Sequence, residues 1–266
     1  MFNIKHSSSS FLNLDKNPAF NLARSHAISL YNRNAIYSFI PKNGCSTLRL
    51  SAAIDNGFIK DITQGHWIHS NNQTFNPSIK DIVSAEYSFV VLRCPFRRLS
   101  SVFLDKLVSK ELDAWQYHSA LDRRFNLDDL TFREFVNSLK NSRILRSNIH
   151  WRPQVDFLLY ENYSDYFSME EFSNAIDVLN KKIGFSVVDA RGLTNHGITD
   201  FEMLTSDCFS NVSAFDIAVL KRHGKCPSHT AMYDEELMSI VTDLYRADFD
   251  IYVEKFGPNN LLFSLD

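Results

Sequence analysis

The feature that most constrains the fold is an alternation of short, β-rich apolar runs with longer helical patterns. The first run covers residues 35–40 and ends at Pro41. A helix is then predicted from Ser46 to Asn56, with Gly57 at its C′ position. Strands that alternate with helices in this way favour an α/β fold built on a central parallel sheet.

The same arrangement recurs later in the chain. The run Tyr87–Leu92 is a second predicted strand, and Pro95 then suits the first turn of a helix that runs to about Lys110. Two capping-box pairs and one apolar face stopped by Gly257 indicate three further helices, at Thr131 with Glu134, Ser168 with Glu171, and residues 234–255. We expect residues 1–34 to be an N-terminal extension and residues 35–266 to be a single domain.

Charge and composition narrow the range of partners. The chain of 266 residues has a net charge of −3, which gives no reason to expect binding to nucleic acid or to an anionic membrane. Its four cysteines show no C-x-x-C spacing and no zinc-like cluster. Residues 1–20 lack the apolar core of a signal peptide, and no apolar stretch reaches the roughly 18 residues of a membrane helix. We therefore expect a cytoplasmic protein.

The turn after the first run has the composition of an anion site. Gly44 lets the backbone come close to a ligand, free N–H groups at the start of the next helix point at it, and the helix dipole adds about half a positive charge. Lys42 adds a full charge, while Ser46 and Thr47 add hydroxyl donors. A second interpretation, a turn whose Ser and Thr only cap the helix, fits these residues equally well.

The second run places a cation at the end of a strand. Arg93 follows this strand, at the sheet edge where ligands bind in open parallel sheets. Ser101 lies about two turns into the following helix, so that a phosphate held by the Arg93 guanidinium could also reach its hydroxyl. The alternative is a helix start with Arg97 and Arg98 in water.

At these two stretches the sequence resembles the sulfotransferases of family 2, which use 3′-phosphoadenosine 5′-phosphosulfate (PAPS). It is most similar to their carbohydrate branch, related to the chondroitin, HNK-1 and heparan 2-O enzymes. Members carry I-P-K-x-G-[CST]-[ST] and V-R-x-P-x-x-R-x-x-S. These are matched by residues 40–47 and by Leu92, Arg93, Pro95, Phe96, Arg98 and Ser101, with Cys94 where an acidic residue is common. Weaker matches are residues 150–154 to H-W-x-P-Q and residues 244–249 to L-Y-x-x-D-F.

The resemblance implies a P-loop-like, three-layer α/β/α fold and a reaction that requires no metal ion. It implies PAPS as the sulfuryl donor, 3′-phosphoadenosine 5′-phosphate as the product, and a hydroxyl acceptor of the carbohydrate class. Lys42 would stabilise the leaving group. The residues expected to bind the donor are Lys42, Asn43, Gly44, Cys45, Ser46, Thr47, Arg93 and Ser101.

The acceptor hydroxyl needs a general base, and the resemblance points to a histidine between the two motifs. His69 is the first candidate and His66 the second, although either could be an ordinary surface residue. His150 is a third candidate, which we interpret as structural, and Glu86 is an acidic alternative.

Two regions could supply further contacts. Lys225, Ser228 or Thr230 would touch the donor if a late loop closes over it, although a solvated face explains this basic stretch better. The acceptor would bind to loops at residues 110–130 and 189–230, where the candidate contacts are Trp115, Tyr117, Arg123 and Arg124.

Two rival functions stay open. One is an ATP-dependent phosphoryl transferase, which is disfavoured because Lys42 precedes Gly44, the reverse of a Walker A loop, and because no magnesium carboxylate follows the second strand. The other is a non-catalytic relative that binds a nucleotide or a glycan, against which the intact Lys42, Arg93 and Ser101 speak.

Overall fold

The computed structural model describes residues 2–8, 11–71, 73–122, 124–190 and 201–265. These residues fall into two compact units, and neither unit is a continuous stretch of chain. The first unit takes Met1–Arg93 and Gln154–Asn195, and the second takes Cys94–Pro153 and His196–Asp266. No helix among the described residues has the length and apolar character needed to cross a membrane.

The regular elements are numbered in chain order. The strands are β1 Ala27–Leu30, β2 Ala35–Ser38, β3 Tyr87–Leu92, β4 Asp165–Ser168, β5 Glu202–Leu204 and β6 Lys225–Pro227. The α-helices are α1 Pro18–Ser25, α2 Cys45–Asp55, α3 Trp67–Ser70, α4 Ile79–Ser84, α5 Pro95–Val102, α6 Leu112–Ala120, α7 Phe132–Ser138, α8 Ser142–Leu145, α9 Phe172–Ile183, α10 Ala214–Arg222, α11 Glu235–Leu244 and α12 Arg246–Phe256. Short 3-10 helices lie at Leu14–Lys16, Tyr31–Arg33, Ile62–Gln64, Gln154–Phe157, Met169–Glu171 and Thr230–Met232.

The first unit contains a four-stranded sheet in the order β1-β2-β3-β4. Strands β2, β3 and β4 are parallel, and β1 pairs antiparallel with β2 at the edge. The prediction of an α/β fold with a central, mostly parallel sheet is confirmed. Strand β1 lies at residues 27–30, within the segment that we expected to precede the domain.

Burial explains why β3 is apolar at every position except Ser88. All six of its residues are buried, as is usual for a parallel strand inside a sheet. On one face of the sheet, Tyr37 and Phe89 belong to a buried cluster with Leu48 of α2 and Leu179 of α9. The rings of Tyr37 and Phe89 are stacked with centroids 4.8 Å apart. Helices α2 and α9 are therefore fixed to the sheet by this core.

The predicted boundaries of the first strand and helix are close to the observed ones. Strand β2 ends at Ser38 rather than at residue 40, although Phe39 still donates its N–H to the His26 carbonyl at 2.9 Å. Helix α2 begins at Cys45, and Asn56 is its C-cap. Gly57 follows with a φ of 78°, so the predicted C′ glycine is confirmed.

In the second unit, Pro95 begins α5 as predicted, but the helix does not continue regularly to Lys110. A π-helical turn, Phe103–Leu107, follows Val102. The Thr131 capping box is confirmed, because Thr131 and Glu134 bond each other's N–H groups at 3.2 and 2.9 Å.

Two predicted helices differ in detail from the observed ones. The helix predicted after Ser168 and Glu171 is present as α9, which begins at Phe172, and the Ser168 side chain accepts from the N–H of Glu170 in a 3-10 turn before it. The single helix predicted at residues 234–255 of the second unit is divided at Tyr245, where φ is −115° and ψ is 26°. The Tyr245 ring is buried and its hydroxyl donates to the Trp151 carbonyl at 2.5 Å, a contact that the periodicity of the sequence could not reveal.

Candidate active site

The N-terminal end of α2 has no side-chain cap. The N-cap residue is Gly44, with a φ of 70°, and Lys42 also has a positive φ of 72°. This left-handed backbone is uncommon for a lysine, and such strain is concentrated at functional sites. Alternation between left- and right-handed backbone turns successive N–H groups towards one side, which makes a concavity for an anion.

The N–H groups of this turn are available for a ligand. Among the residues that the structure describes, those of Gly44, Cys45, Ser46 and Thr47 have no hydrogen-bond partner, and the first bond of the helix runs from the Leu48 N–H to the Gly44 carbonyl. The alternative in which Ser and Thr merely cap the helix is therefore wrong. The open N–H groups and the helix dipole together favour an anion here.

Gly44 is required for conformation and for space. A Cβ atom at this position would lie 3.1 Å from the Met169 sulfur and 3.2 Å from the Phe172 ring. The positive φ would in addition strain any residue with a side chain. Glycine therefore lets α2 begin close against the 168–172 segment.

Arg93 and Lys42 lie together. Arg93 follows the last residue of β3 and is half-buried, and its Nη1 donates to the Lys42 carbonyl at 3.0 Å. The sequence assigned the two side chains to different motifs, and the fold brings them to one edge of the sheet. Ser101 belongs to the second unit, where it is half-buried in α5.

A buried pair of amides joins these two stretches. Gln154 Oε1 accepts from the Arg93 N–H at 3.0 Å and from Asn43 Nδ2 at 2.6 Å, and Gln154 Nε2 donates to the Arg93 carbonyl at 2.9 Å. Asn43 Nδ2 also donates to the Val91 carbonyl at 2.9 Å. Asn43 is 0% and Gln154 is 1% exposed. Only a weak signal pointed to Gln154, which is the last residue of the 150–154 match.

The candidate bases are located beside α2. His69 lies in α3 and His66 is its N-cap residue, and both are exposed. Arg49 of α2 donates to the Ile68 carbonyl at 2.5 Å and thereby ties α3 to the helix that begins at the open N–H groups. Which histidine acts as the base stays a prediction.

Tyr37 is not a suitable base. Its ring is buried, and its hydroxyl has no hydrogen-bond partner among the described residues. Burial raises its pKa well above the ordinary value, the neighbouring Cys45 raises it further, and Arg49 lowers it. The hydroxyl therefore stays protonated at neutral pH.

His150 lies in the second unit, within 3.6 Å of the Asp113 carboxylate, and its N–H donates to Asn148 Oδ1 at 2.8 Å. In the same unit Arg98 is 2% exposed and donates to the carbonyls of Arg152 and Ile149 at 2.8 and 3.3 Å. The alternative that placed the Arg98 charge in water is therefore wrong. Its guanidinium holds the 149–152 segment instead.

A sequence profile of the sulfotransferase family matches residues 26–253. The chain belongs to the sulfotransferase family. No curated protein and no solved structure matched it in the corresponding searches. The match includes β1, the turn at residues 40–47 and strand β3 with Arg93, so it covers both stretches that form the candidate site.

The other contacts predicted for this sulfotransferase have different outcomes. Tyr117 is 1% exposed with its hydroxyl bonded to Ser138, so the prediction that it contacts a sugar was wrong. Trp115 and Arg124 are exposed, and Arg123 lies outside the described residues. In the late loop the Ser228 and Thr230 hydroxyls bond each other at 2.8 Å, and Lys225 lies 3.5 Å from Glu202. No group of three or more His, Cys, Asp or Glu side chains that could hold a metal occurs in the described part of the chain.

Proposed function

We propose that this sulfotransferase moves a sulfuryl group from PAPS to a carbohydrate hydroxyl by in-line displacement. The observation that carries the proposal is the set of open N–H groups at residues 44–47 beside Lys42 and Arg93. This arrangement offers dipoles and two cations to a phosphate-rich donor. The site's residues fit that donor because α2 begins without a side-chain cap, so its first N–H groups stay available to a phosphate.

Each group of site residues has a separate role in the proposed reaction. The N–H groups of residues 44–47 would hold the 5′-phosphate, while Arg93 and Ser101 would recognise the 3′-phosphate. The acceptor oxygen forms a new bond to sulfur as the bond between sulfur and the bridging phosphate oxygen breaks. Lys42 donates to that bridging oxygen as it gains charge, and the hydroxyl proton passes to His69 or His66. This scheme gives no role to a metal ion, so a chelator should leave turnover unchanged.

Calorimetric titration tests the donor assignment. We expect 3′-phosphoadenosine 5′-phosphate to bind more tightly than AMP or ATP, and Arg93→Ala to weaken it sharply. Equal affinity for the three nucleotides, or a preference for ATP with magnesium, would overturn the proposal in favour of a phosphoryl transferase.

The base is tested by single substitutions. His69→Ala should lower turnover about 100-fold or more without changing donor affinity. If only His66→Ala does so, the base is His66. If neither does, both assignments fail and His150 or Glu86 becomes the next candidate. We also propose a cytoplasmic location, which fractionation of the source cells would measure.

A further inference from the structure

We propose that Gln154 and Asn43 act as a positioning pair that fixes Lys42 and Arg93 relative to each other for donor binding. The proposal rests on the function proposed above, because Lys42 and Arg93 are the two cations assigned to the donor. The two amides touch the backbone and each other, so they act through these cations and are not catalytic residues themselves.

The orientation of both amides is dictated by backbone chemistry. The Arg93 N–H can only donate, so the Gln154 atom that faces it must be Oε1, and the Arg93 carbonyl can only accept, so it must face Nε2. The Val91 carbonyl likewise fixes the Asn43 donor as Nδ2. No flip of either amide preserves these bonds.

The two amides bind backbone groups of the chain just beyond the point where β2 and β3 stop pairing. The last residue pair between β2 and β3 is Ser38 with Val90. Beyond it, Asn43 Nδ2 binds the Val91 carbonyl, and the Gln154 amide binds both backbone groups of Arg93. Side-chain amides thus substitute for a neighbouring strand at the point where Arg93 leaves the sheet.

The bonds form a closed ring. Gln154 Oε1 holds Asn43 and the Arg93 backbone, Asn43 is covalently joined to Lys42, and the Arg93 guanidinium returns to the Lys42 carbonyl at 3.0 Å. Two members are nearly inaccessible to water, where hydrogen bonds are strong and a lost partner is costly. The ring therefore holds Lys42 in its left-handed conformation from two sides.

Breaking a bond of the ring should weaken donor binding more than it lowers the stability of the fold. A misplacement of about 1 Å at a site can lower turnover about 100-fold. Gln154→Glu keeps the length and the acceptor but loses the donor to the Arg93 carbonyl. We expect the affinity for 3′-phosphoadenosine 5′-phosphate to fall about tenfold or more, and turnover to fall at least as much.

Asn56→Asp is the matched control. At the opposite end of α2, Asn56 Nδ2 donates to the Ser29 carbonyl at 2.8 Å and Oδ1 accepts from the Tyr31 N–H at 2.9 Å. The substitution therefore removes the same kind of bond from the same helix. It should lower the melting temperature as Gln154→Glu does and leave donor affinity within about twofold.

A double-substitution cycle separates positioning from simple destabilisation. Asn43→Ala and Gln154→Ala each break the shared bond, so the double variant should lose less affinity for 3′-phosphoadenosine 5′-phosphate than the sum of the two single losses. Additive losses would contradict the ring. If Gln154→Glu does not fold, Gln154→Met, which is neutral and of similar length, takes its place.

Failure of this proposal and failure of the proposed function are distinguishable. If the unsubstituted protein does not bind 3′-phosphoadenosine 5′-phosphate, the donor assignment fails and the positioning pair fails with it. If it binds, and folded Gln154→Glu or Gln154→Met binds equally well, only the positioning pair is overturned.

Discussion

The two ends of helix α2 are treated in opposite ways. At the C-terminal end, the Asn56 N–H bonds the Ala52 carbonyl, its side chain bonds Ser29 and Tyr31, and Gly57 closes the helix. At the N-terminal end, residues 44–47 leave their N–H groups without partners among the described residues. A chain that needed only a stable helix would saturate both ends. The difference indicates that the N-terminal end is kept open for a ligand.

The largest effect is expected when the Lys42 charge beside the N-terminal end of α2 is removed. Lys42→Ala should lower turnover about 100- to 1000-fold, because the leaving oxygen loses its donor. The backbone strain at a φ of 72° is the same for alanine as for lysine, so the melting temperature, measured beside turnover, shows whether a loss comes from the missing ammonium group or from the fold. Turnover near that of the unsubstituted protein would show that Lys42 is not at the leaving group.

A matched pair of glycines sharpens the comparison. Gly44→Ala should weaken binding of 3′-phosphoadenosine 5′-phosphate about tenfold or more, because the new Cβ meets Met169 and Phe172 and displaces the turn. Gly57→Ala has a similar φ but no atom within 4 Å of the new Cβ. It should cost about 1 kcal/mol of unfolding free energy and leave the affinity unchanged. Titration and thermal unfolding of both variants make the test, and equal affinities would remove the distinction between the two ends.

A pair of serines gives the smallest effect. The Ser46 hydroxyl has no partner among the described residues, so Ser46→Ala should weaken donor binding about fivefold and change stability by less than about 0.5 kcal/mol. Ser51 Oγ donates to the Thr47 carbonyl and accepts from the Val188 N–H, both at 2.8 Å. Ser51→Ala should cost about 1–3 kcal/mol of stability without changing affinity. If Ser51→Ala weakened donor binding and Ser46→Ala did not, the donor would not bind at the N-terminal end of α2.

Structural features that depend on residues close together in sequence were predicted correctly. The sequence correctly predicted strand β3, Pro95 at the start of α5 and Gly57 after α2, because each depends on residues within a few positions. Strand β4, with the sequence Asp165–Ser168, is too short and too polar to stand out. The break at Tyr245 depends on a hydrogen bond to Trp151, far away in the chain, which no periodicity contains.

The candidate site was predictable in composition but not in organisation. Lys42, Gly44 and Arg93 were found from their places after strands, and the fold brings Lys42 and Arg93 into contact. The ring that joins them needs Gln154, which lies 111 residues from Asn43 in sequence. Buried amide networks are specified by three-dimensional packing, so a sequence shows at most that such a residue is present.

The bond between Arg93 and Gln154 also bears on how such a chain can diversify. The segment 94–153 leaves the first unit at Arg93 and returns at Gln154, and the same amide bonds both backbone groups of Arg93. Its two ends therefore meet at a fixed junction whatever lies between them. Loop-closure entropy grows so slowly that doubling the length of an inserted segment costs only about 0.6 kcal/mol. Insertions, deletions or an exchanged segment after Ser101 and before Gln154 would thus leave the turn at residues 42–47, Arg93 and Ser101 in the chain, so the contacts proposed for the donor can persist while those proposed for the acceptor change.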